Sequence, residues 1–433
     1  MLLRPVAAKC ERRVLYPVGA PPLQRWGREA GVSLSAFPLG LSLILGFAML
    51  ASTVRAEEPF FEAQFVFPLR TDHNHASSIV ECPNGDLLAS WYRGSGEKEA
   101  NDVAVYGARL HKGSTVWTEP FVMADTPGFP DGNTAMFIDA QNRLWLFWPV
   151  ILANSWESCL THYRTARDFQ SDGPPEWNWQ GDIPLVPRNF EPKMEAALAE
   201  KEKEAGALLI DPRVGMKLDK LKQRIHDKLY QRLGWQPRCK PTVLPSGRIL
   251  LPLYSDTYSA GLMAISDDAG KTWFASEPLA GFGSIQPSVL RRKEGTLIAF
   301  MRENGPLKHI RISESKDDGL TWGPVGTIDL PNPGSGLDGL VLASGQWLLV
   351  YNDTTRGRDS LAVSLSADEG RTWKWTRHLE RSPGGSFHYP AVIQSRDGRI
   401  HTIYSYYPKS GETMKHAAFN EEWVRQQDQE VSR

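Results

Sequence analysis

Six units of the same hydrophobic pattern follow one another along the chain. Each unit has a short apolar segment, a turn and a second apolar segment, which is the pattern of two antiparallel strands joined by a hairpin. The six turns are marked by Gly85, Asn142, Gly247, Gly295, Gly345 and Gly398. Successive turns lie about 50 residues apart, except for one interval of roughly double length, and a period of this size is typical of a propeller.

The long interval between the second and third units has a different composition. Residues 190–234 within it are rich in Lys, Glu, Ala and Leu, and their apolar positions recur with helical spacing. We therefore predict an all-β fold, a six-bladed β-propeller, with a helical insertion between blades two and three. To close such a ring, residues 61–67 are expected to pair beside residues 416–419 in the last blade.

A second repeat supports the same architecture. The pattern S-x-D-x-G-x-T-W occurs at residues 266–273, 315–322 and 366–373. Ser and Asp side chains can bond the backbone of a tight turn, Gly supplies a positive φ, and Trp can pack beneath the loop. The three spaced copies therefore predict a recurrent hairpin turn within the blades.

Composition and charge narrow the class of protein further. The chain has 433 residues with 15 Trp, 37 Gly and 31 Pro, a turn-rich and aromatic-rich profile that disfavours a helical protein. Its formal net charge is −1, but basic residues outnumber acidic ones in residues 1–56, so the remainder is acidic overall. An acidic body argues against nucleic acid as a partner. Any anion must be held by a few local Arg or Lys residues.

Residues 1–56 have the order of a signal peptide. Basic residues precede an apolar stretch over residues 37–50, and small residues follow up to Ala56, where we expect cleavage. The alternative is an uncleaved membrane anchor, since about 20 apolar residues can span a bilayer. We predict an exported protein, periplasmic or secreted, with a propeller over residues 57–425 and a polar tail over residues 426–433.

Cysteine and histidine spacing gives no sign of a covalent or metal framework. Cys82, Cys159 and Cys239 remain after the predicted cleavage, and an odd number at wide spacing is no disulfide framework. The sequence has neither a CxxC pair nor a His-rich cluster. We therefore predict no metal and no cofactor.

The S-x-D-x-G-x-T-W turns resemble the Asp-box, or BNR, repeats of the sialidase (neuraminidase) superfamily, whose members are six-bladed β-propellers. The chain looks like the predicted-neuraminidase branch, and the resemblance covers residues 57–425 through blade number and period. It implies three arginines that bind a substrate carboxylate, a tyrosine nucleophile relayed by a glutamate, and an aspartate as acid/base. Arg302 matches the second arginine, and Tyr389 is similar in placement to the nucleophile.

The sequence departs from that family pattern at its proton relay and anion site. His75 stands where the family has its first arginine, and Gln286 stands where it has the relay glutamate. No third arginine is evident, and the acid/base loop offers Glu97, Glu99 or Asp102. The resemblance therefore implies an anion site that is retained in part and a proton relay that is altered.

Polar residues just before each inner strand are expected to converge on one end of the central channel. The predicted catalytic residues are Tyr389, His75, His388, Asp102 and Asp338. The predicted substrate-binding residues are Arg302, Arg238, Lys240, Gln286, Tyr254 and Tyr404. Arginines fit a carboxylate bidentately, and histidine is the usual proton carrier near neutral pH. Trp91 and Trp148 are either sugar-stacking platforms or blade core.

Three functions are consistent with these residues. The first is a sialidase-like exo-glycosidase acting on acidic glycan termini, with Tyr389 as the nucleophile and Asp102 or a neighbouring Glu as the acid. The second is a lyase or hydrolase of a uronic-acid polysaccharide, with a histidine or Tyr389 moving the proton. The third is a glycan-binding propeller without catalysis, because fold alone does not fix function. In each case the expected partner is an acidic oligosaccharide or polysaccharide.

Overall fold

The computed structural model describes residues 57–205 and 212–428. The predicted signal peptide lies outside this range, so export stays a prediction, and residues 429–433 of the predicted polar tail lie outside it as well. Among the described residues, no helix is both long enough and apolar enough to cross a bilayer.

The described chain forms six antiparallel sheets, five of four strands and one of five. Strand β1 (Phe61–Phe65) precedes blade 1, which consists of β2 (His73–Glu81), β3 (Leu87–Gly94), β4 (Ala104–Leu110) and β5 (Phe121–Ala124). Blade 2 consists of β6 (Ala135–Ile138), β7 (Leu144–Ile151), β8 (Cys159–Asp168) and β9 (Glu176–Asp182). Blade 3 consists of β10 (Gln236–Pro237), β11 (Thr242–Val243), β12 (Ile249–Ser255), β13 (Ala260–Ser266) and β14 (Phe274–Ala275).

The second half of the chain completes the ring. Blade 4 consists of β15 (Ser284–Arg291), β16 (Leu297–Glu303), β17 (His309–Ser315) and β18 (Gly326–Pro331). Blade 5 consists of β19 (Asp338–Val341), β20 (Trp347–Tyr351), β21 (Ser360–Ser366) and β22 (Trp375–Arg381). Blade 6 consists of β23 (Ser386–Gln394), β24 (Ile400–Tyr407), β25 (Thr413–Phe419) and β1. The predicted all-β, six-bladed propeller is confirmed.

Helices occur mainly between blades 2 and 3, as predicted. They are α1 (Phe190–Ala205), α2 (Pro212–Ile225), α3 (Lys228–Arg232) and, after blade 6, α4 (Glu421–Arg425). Phe190 and Ile225 of the insertion join one buried cluster with strands of blades 2 and 3. The ring of Phe190 lies 5.0 Å from that of Tyr258. Burial of this helix face explains the helical spacing of its apolar residues.

The ring closes through a blade built from both ends of the described chain. β1 pairs antiparallel with β25, and Phe61 lies opposite Phe419. The Asn420 side chain reinforces this junction by accepting a hydrogen bond from the Phe60 amide at 2.9 Å. Pairing β1 in this way covers a sheet edge that would otherwise be open, and the predicted closure is confirmed.

The three repeated turns share one hydrogen-bond pattern. In blade 3, the Asp268 carboxylate accepts hydrogen bonds from the Thr272 amide at 2.9 Å and the Thr272 hydroxyl at 2.6 Å, while Ser266 Oγ accepts one from the Gly270 amide at 2.8 Å. The bonds from Thr272 lower the pKa of Asp268 to about 2. Blades 4 and 5 repeat the same bonds. Each turn joins the third strand to the outermost strand, at the end of the ring opposite to the start of the inner strands.

The inner strand of blade 3 is interrupted between β10 and β11, and its residues there reach across the axis. Arg238 donates hydrogen bonds to the Ser77 carbonyl of blade 1 at 3.2 Å and the Pro390 carbonyl of blade 6 at 2.8 Å. Lys240 Nζ lies 2.7 Å from the buried Asp338 carboxylate of blade 5. These contacts join inner strands that are far apart in the sequence.

A pair of glycine substitutions tests the packing of the repeated turn. Gly270 and Gly247 have φ of +83° and +87°, so alanine strains the backbone at both. A Cβ at Gly270 would lie 2.1 Å from the Trp145 ring, whereas nothing lies within 4 Å of a Cβ at Gly247. We expect Gly247→Ala to lower the free energy of unfolding in urea by about 1 kcal/mol. Gly270→Ala should lower it by about 1–3 kcal/mol more, and equal losses would contradict this packing.

Candidate active site

Three inner strands bulge at equivalent positions, at the end where those strands begin. The pairing of β2 with β3, β15 with β16 and β23 with β24 shifts at Ala76, Gln286 and Tyr389. Their φ values are 55°, 56° and 53°, a left-handed conformation that costs about 1–3 kcal/mol in a residue other than glycine. Bulges re-aim side chains, and here the Gln286 and Tyr389 side chains meet across the channel.

The Tyr389 hydroxyl lies in a polar cavity of about 250 Å³. Its oxygen accepts a hydrogen bond from Arg302 Nη1 at 2.8 Å and another from Gln286 Nε2 at 3.1 Å. The remaining lining comes from blades 1, 2, 3 and 5 and consists of His75, Tyr92, Glu97, Asn133, Trp156, Tyr254, Asp256 and Arg358. Two donated hydrogen bonds on one oxygen stabilise negative charge there.

Three guanidinium groups surround Tyr389. Arg302 bonds its oxygen, while Cζ of Arg238 lies 5.0 Å and Cζ of Arg358 lies 5.7 Å from the centre of its ring. Within the described part of the chain, none of the three arginines has a carboxylate at ion-pair distance, and Arg358 donates to the Gly334 carbonyl instead. Cations without counter-ions create a positive potential that favours an anionic ligand.

Two imidazole rings lie beside Tyr389. The His75 ring lies 4.3 Å from the Tyr389 ring and 4.8 Å from the His388 ring. Burial, and then the electrostatic interaction with the neighbouring His388, lowers the pKa of His75 well below its usual range. Burial, and then the charge of Arg358, does the same to the pKa of His388. Both rings are therefore neutral at neutral pH.

Glu97 is the ionised carboxylate of the cavity. Its Oε1 lies 3.3 Å from His73 Nε2 and accepts a hydrogen bond from the Tyr92 hydroxyl at 3.1 Å. His73 Nδ1 lies 3.1 Å from a Glu412 oxygen. Burial opposes a charge on His73, but its bonds to the two glutamates outweigh burial and raise its pKa to about 9. The bond to His73 in turn lowers the pKa of Glu97.

Asp256 is the second carboxyl group of the cavity. Its environment raises its pKa, whereas the environment of Glu97 lowers the pKa of that residue. Asp256 directly follows β12, and its Oδ2 accepts a hydrogen bond from Gln236 Nε2 at 3.0 Å. Burial raises the pKa of Asp256 to about 6, although the charge of Arg302 lowers it. Asp256 therefore keeps its proton to a higher pH than an ordinary aspartate.

The structure brings five of the predicted site residues together in the cavity lining. They are His75, Tyr254, Gln286, Arg302 and Tyr389. Arg238 and His388 lie behind this lining, against the Tyr389 and His75 rings respectively. Arg302, which was predicted to bind an anion, and Tyr389, the predicted nucleophile, are therefore neighbours in space, and their roles stay predictions.

Four other predicted site residues do not line the cavity. Lys240 and Asp338 bond each other at the axis, and Tyr404 is buried in the core between blades 5 and 6. Asp102 is exposed and accepts a hydrogen bond from the Ser95 hydroxyl at 2.7 Å. Of the acidic residues in that loop, Glu97 lines the cavity. The two tryptophans considered as sugar platforms are both buried in blade core.

Sequence reasoning missed Arg358 and Asp256. Arg358 lies in the loop between β20 and β21, and Asp256 lies in the hairpin between β12 and β13. Neither residue belongs to a repeated motif. The available signal was the position of these loops, because all connections between second and third strands open at the same end of a propeller. The loop that carries Glu97 is a third connection of this kind.

The closed ring and its Asp-box turns define a sialidase-type β-propeller. A family model described as a BNR repeat-like domain matches residues 85–193 and 233–402. The chain belongs to this BNR repeat-like family, and the resemblance predicted from its turns is confirmed. The segment between the two matched stretches contains most of the helical insertion.

Individual relatives are distant. A leech anhydrosialidase from Macrobdella decora is 23% identical over 190 residues, which are 37% of this chain and 24% of that protein, so the match spans about a quarter of this relative. The solved intramolecular trans-sialidase from Ruminococcus gnavus, in complex with oseltamivir carboxylate, has a TM-score of 0.62 at 12% identity, over 83% of this chain and 97% of that chain. A protein of unknown function from Dyadobacter fermentans has a TM-score of 0.63 at 18% identity, over 83% and 98%. At these identities the likeness establishes the fold.

The ion pairs of His73 predict a pH-dependent contribution to stability. Because the pKa rises from about 6.5 to about 9 on folding, the stabilisation by protonated His73 is fully present below pH 6.5 and is lost as pH rises through 9. In urea unfolding, the free-energy difference between wild type and His73→Gln should therefore shrink as pH approaches 9.

The matched control for this prediction is His226→Gln. His226 also lies within 3.3 Å of two glutamates, but its side chain is 54% exposed, so its substitution should change stability little. A loss in His73→Gln that is the same at every pH would contradict the role assigned to its charge.

Proposed function

We propose that this protein is a sialidase-type glycoside hydrolase that removes a terminal sugar carrying a carboxylate. The observation that carries the proposal is the set of three arginines around Tyr389 that lack a carboxylate partner among the described residues. A substrate carboxylate would supply the missing charge, and arginine can bind it through two parallel hydrogen bonds. A cavity of about 250 Å³ is small for a ligand site and fits one sugar ring, which favours attack at a glycan end.

In the proposed reaction, Arg302 and Arg358 bind the carboxylate beside Tyr389. Tyrosine suits the role of nucleophile here because an anionic sugar repels a carboxylate nucleophile. The hydrogen bonds from Arg302 and Gln286 stabilise negative charge on the attacking oxygen. Neutral His75 takes the proton of the Tyr389 hydroxyl as the bond from this oxygen to the sugar forms, and the bond to the leaving oxygen breaks as the general acid gives that oxygen a proton. Water then cleaves the bond between the sugar and the tyrosine, the water proton returns to the general acid, and the tyrosine oxygen recovers its proton from His75.

Asp256 is the proposed general acid. A general acid must hold a proton at the working pH, and burial raises the pKa of Asp256 to about 6. The same role does not suit Glu97, because its bond to protonated His73 lowers the pKa of Glu97. Glu97 would instead accept hydrogen bonds from substrate hydroxyls.

One observation favours a second candidate reaction, elimination from a uronic acid. Gln286 bonds Tyr389 at the place where the superfamily pattern has a relay glutamate, and an amide cannot act as a base. In an elimination, Tyr389 or neutral His75 would take the proton next to the carboxylate carbon while the bond to the leaving oxygen breaks. The product has a carbon–carbon double bond conjugated to the carboxylate, which absorbs ultraviolet light.

Two substitutions and a substrate panel test the proposal. Because Tyr389→Phe removes the attacking oxygen, kcat should fall by at least about 10³-fold. Arg302→Ala removes a donor to the same oxygen and should lower kcat/KM by about 10²-fold. The panel consists of a sialoside, a hexuronide and a neutral hexoside with the same leaving group, and only the acidic sugars should be released. Arg371→Ala, at an exposed arginine of the blade 5 turn, is the matched control.

The possible outcomes separate the alternatives. Equal release of the neutral hexose would contradict the proposed carboxylate site. Growth of ultraviolet absorbance from a polyuronate would establish elimination in place of hydrolysis. Binding of the acidic sugars without turnover by the wild type would leave a glycan-binding propeller and contradict both reactions.

The pKa of Asp256 predicts the alkaline limb of the pH profile. Because the acid acts while protonated, activity should be full below about pH 6 and fall as pH rises through 6. Asp256→Asn should remove this limb and lower kcat by about 10²-fold on a poor leaving group. On an aryl glycoside with an acidic leaving group the loss should be much smaller, and an equal loss on both substrates would contradict the assignment.

A further inference from the structure

An aromatic groove lies at the end of the ring opposite to the Tyr389 cavity. It follows the seam between blades 2 and 3 and has a volume of about 470 Å³. Its walls come from the start of β7 and from β8 and β9 of blade 2, and from the repeated turn of blade 3. That turn and the cavity loops lie at opposite ends because successive strands of a blade alternate in direction. None of the groove residues lines the cavity.

A β-bulge turns Trp179 toward this groove. The pairing of β8 with β9 shifts after the Thr165–Trp179 pair and leaves Asn178 as an extra residue. Asn178 Oδ1 is held by a hydrogen bond from the Arg167 amide at 2.8 Å. Residues two apart on a regular strand share a face, but here Trp177 packs against the blade core while Trp179 lines the groove. Re-aiming of a side chain is a recurrent use of such bulges.

Trp179 presents its ring to solvent in a fixed orientation. Its Nε1 donates a hydrogen bond to the Tyr163 hydroxyl at 3.1 Å, and 63% of the residue is exposed. The Tyr163 ring is itself stacked at 5.5 Å on the buried ring of Trp145. Because one hydrogen bond orients the exposed Trp179 ring, it offers an aromatic surface on which a sugar ring can stack.

The charged side chains of the groove are positive, which bears on the charge of the ligand that it could bind. Arg167 and Lys271 line it, and within the described part of the chain neither side chain has a hydrogen-bond or ion-pair partner. Arg143, the third cation of the lining, is bonded to Asp139 at 2.7 Å. No carboxylate belongs to the lining. On a body that is acidic overall, this local positive charge favours an anionic ligand.

We propose that this groove is a second carbohydrate site, which binds an anionic polysaccharide. The apolar C–H face of a sugar ring would stack on Trp179, and its acidic group would lie between Arg167 and Lys271. Asn178 and Thr165 offer polar groups to sugar hydroxyls. A site at this end would hold a polymer without occupying the Tyr389 cavity. The proposal is therefore independent of the reaction catalysed there.

Affinity electrophoresis tests the site directly. The protein is run through native gels containing polygalacturonate, dextran sulfate or neutral dextran, and its retardation is measured against gel concentration. We expect retardation by one or both polyanions and none by dextran. Trp179→Ala should weaken the apparent Kd by about ten-fold. Lys271→Ala should weaken it by about three-fold, with an effect that disappears at high salt.

Two matched controls distinguish this site from the general surface. Phe65→Ala removes an exposed aromatic ring from the outermost strand of blade 6, and Arg371→Ala removes the cation at the motif position equivalent to Lys271. Neither control should change retardation. Thermal unfolding and release of a small soluble substrate should be unchanged in Trp179→Ala, which separates this site from the catalytic cavity.

Several outcomes would overturn the proposal. They are the absence of retardation by both polyanions, retardation that Trp179→Ala leaves unchanged, and equal retardation by neutral dextran. The two polyanions also distinguish the acidic group, because a preference for polygalacturonate indicates carboxylate recognition and a preference for dextran sulfate indicates sulfate recognition.

Discussion

The candidate site depends on a buried positive charge at the axis of the ring. Arg238 is 1% exposed, and carbonyl groups of Ser77 and Pro390 accept its hydrogen bonds. An unpaired buried charge costs several kcal/mol unless dipoles compensate it, so these two inner strands must keep their positions. Pro390 directly follows Tyr389, and the Tyr389 ring lies over the same guanidinium group. The contact that joins blades 1, 3 and 6 therefore also sets the charge beneath the proposed nucleophile.

Side chains of the same type have different protonation states in and around the cavity, because their neighbours differ. His75 loses its charge through burial near other cations, whereas His73 keeps its charge because two glutamates bond it. Glu97 is ionised beside His73, whereas burial raises the pKa of Asp256. Two carboxyl groups whose environments separate their pKa values are the usual sign of distinct acid and anion roles. The pKa values of these groups differ because each group contacts neighbours from a different set of blades.

The fold was predictable because its signals repeat, whereas the site was predictable only where it uses repeated positions. Arg302, Gln286 and Tyr389 lie on inner or second strands, where alignment of the six units identifies them. Arg358 lies in a loop that matches no other unit, and a single sequence carries no periodic signal for it. Position in a repeat also misleads. Successive residues of a strand point to opposite faces, and Tyr404 lies on the face that packs into the core between blades 5 and 6. Side-chain direction within loops and strands depends on tertiary contacts that a local pattern does not contain.

The space around Gln286 would accept glutamate as well as glutamine, so the amide matters for its charge and its hydrogen bonding and not for its size. A Cβ at Gly336 would lie 2.4 Å from the Tyr389 ring and 3.0 Å from Gln286 Oε1, so blade 5 backbone packs closely against both side chains. Glutamate has the same shape as glutamine and would fit this space, but it would place a negative charge among the three arginines. Glutamine leaves their charge uncompensated and donates a second hydrogen bond to the Tyr389 oxygen. Under the proposed function, glutamine at this position favours binding of an anion but offers no proton acceptor, so the acceptor of the tyrosine proton would distinguish hydrolysis from elimination.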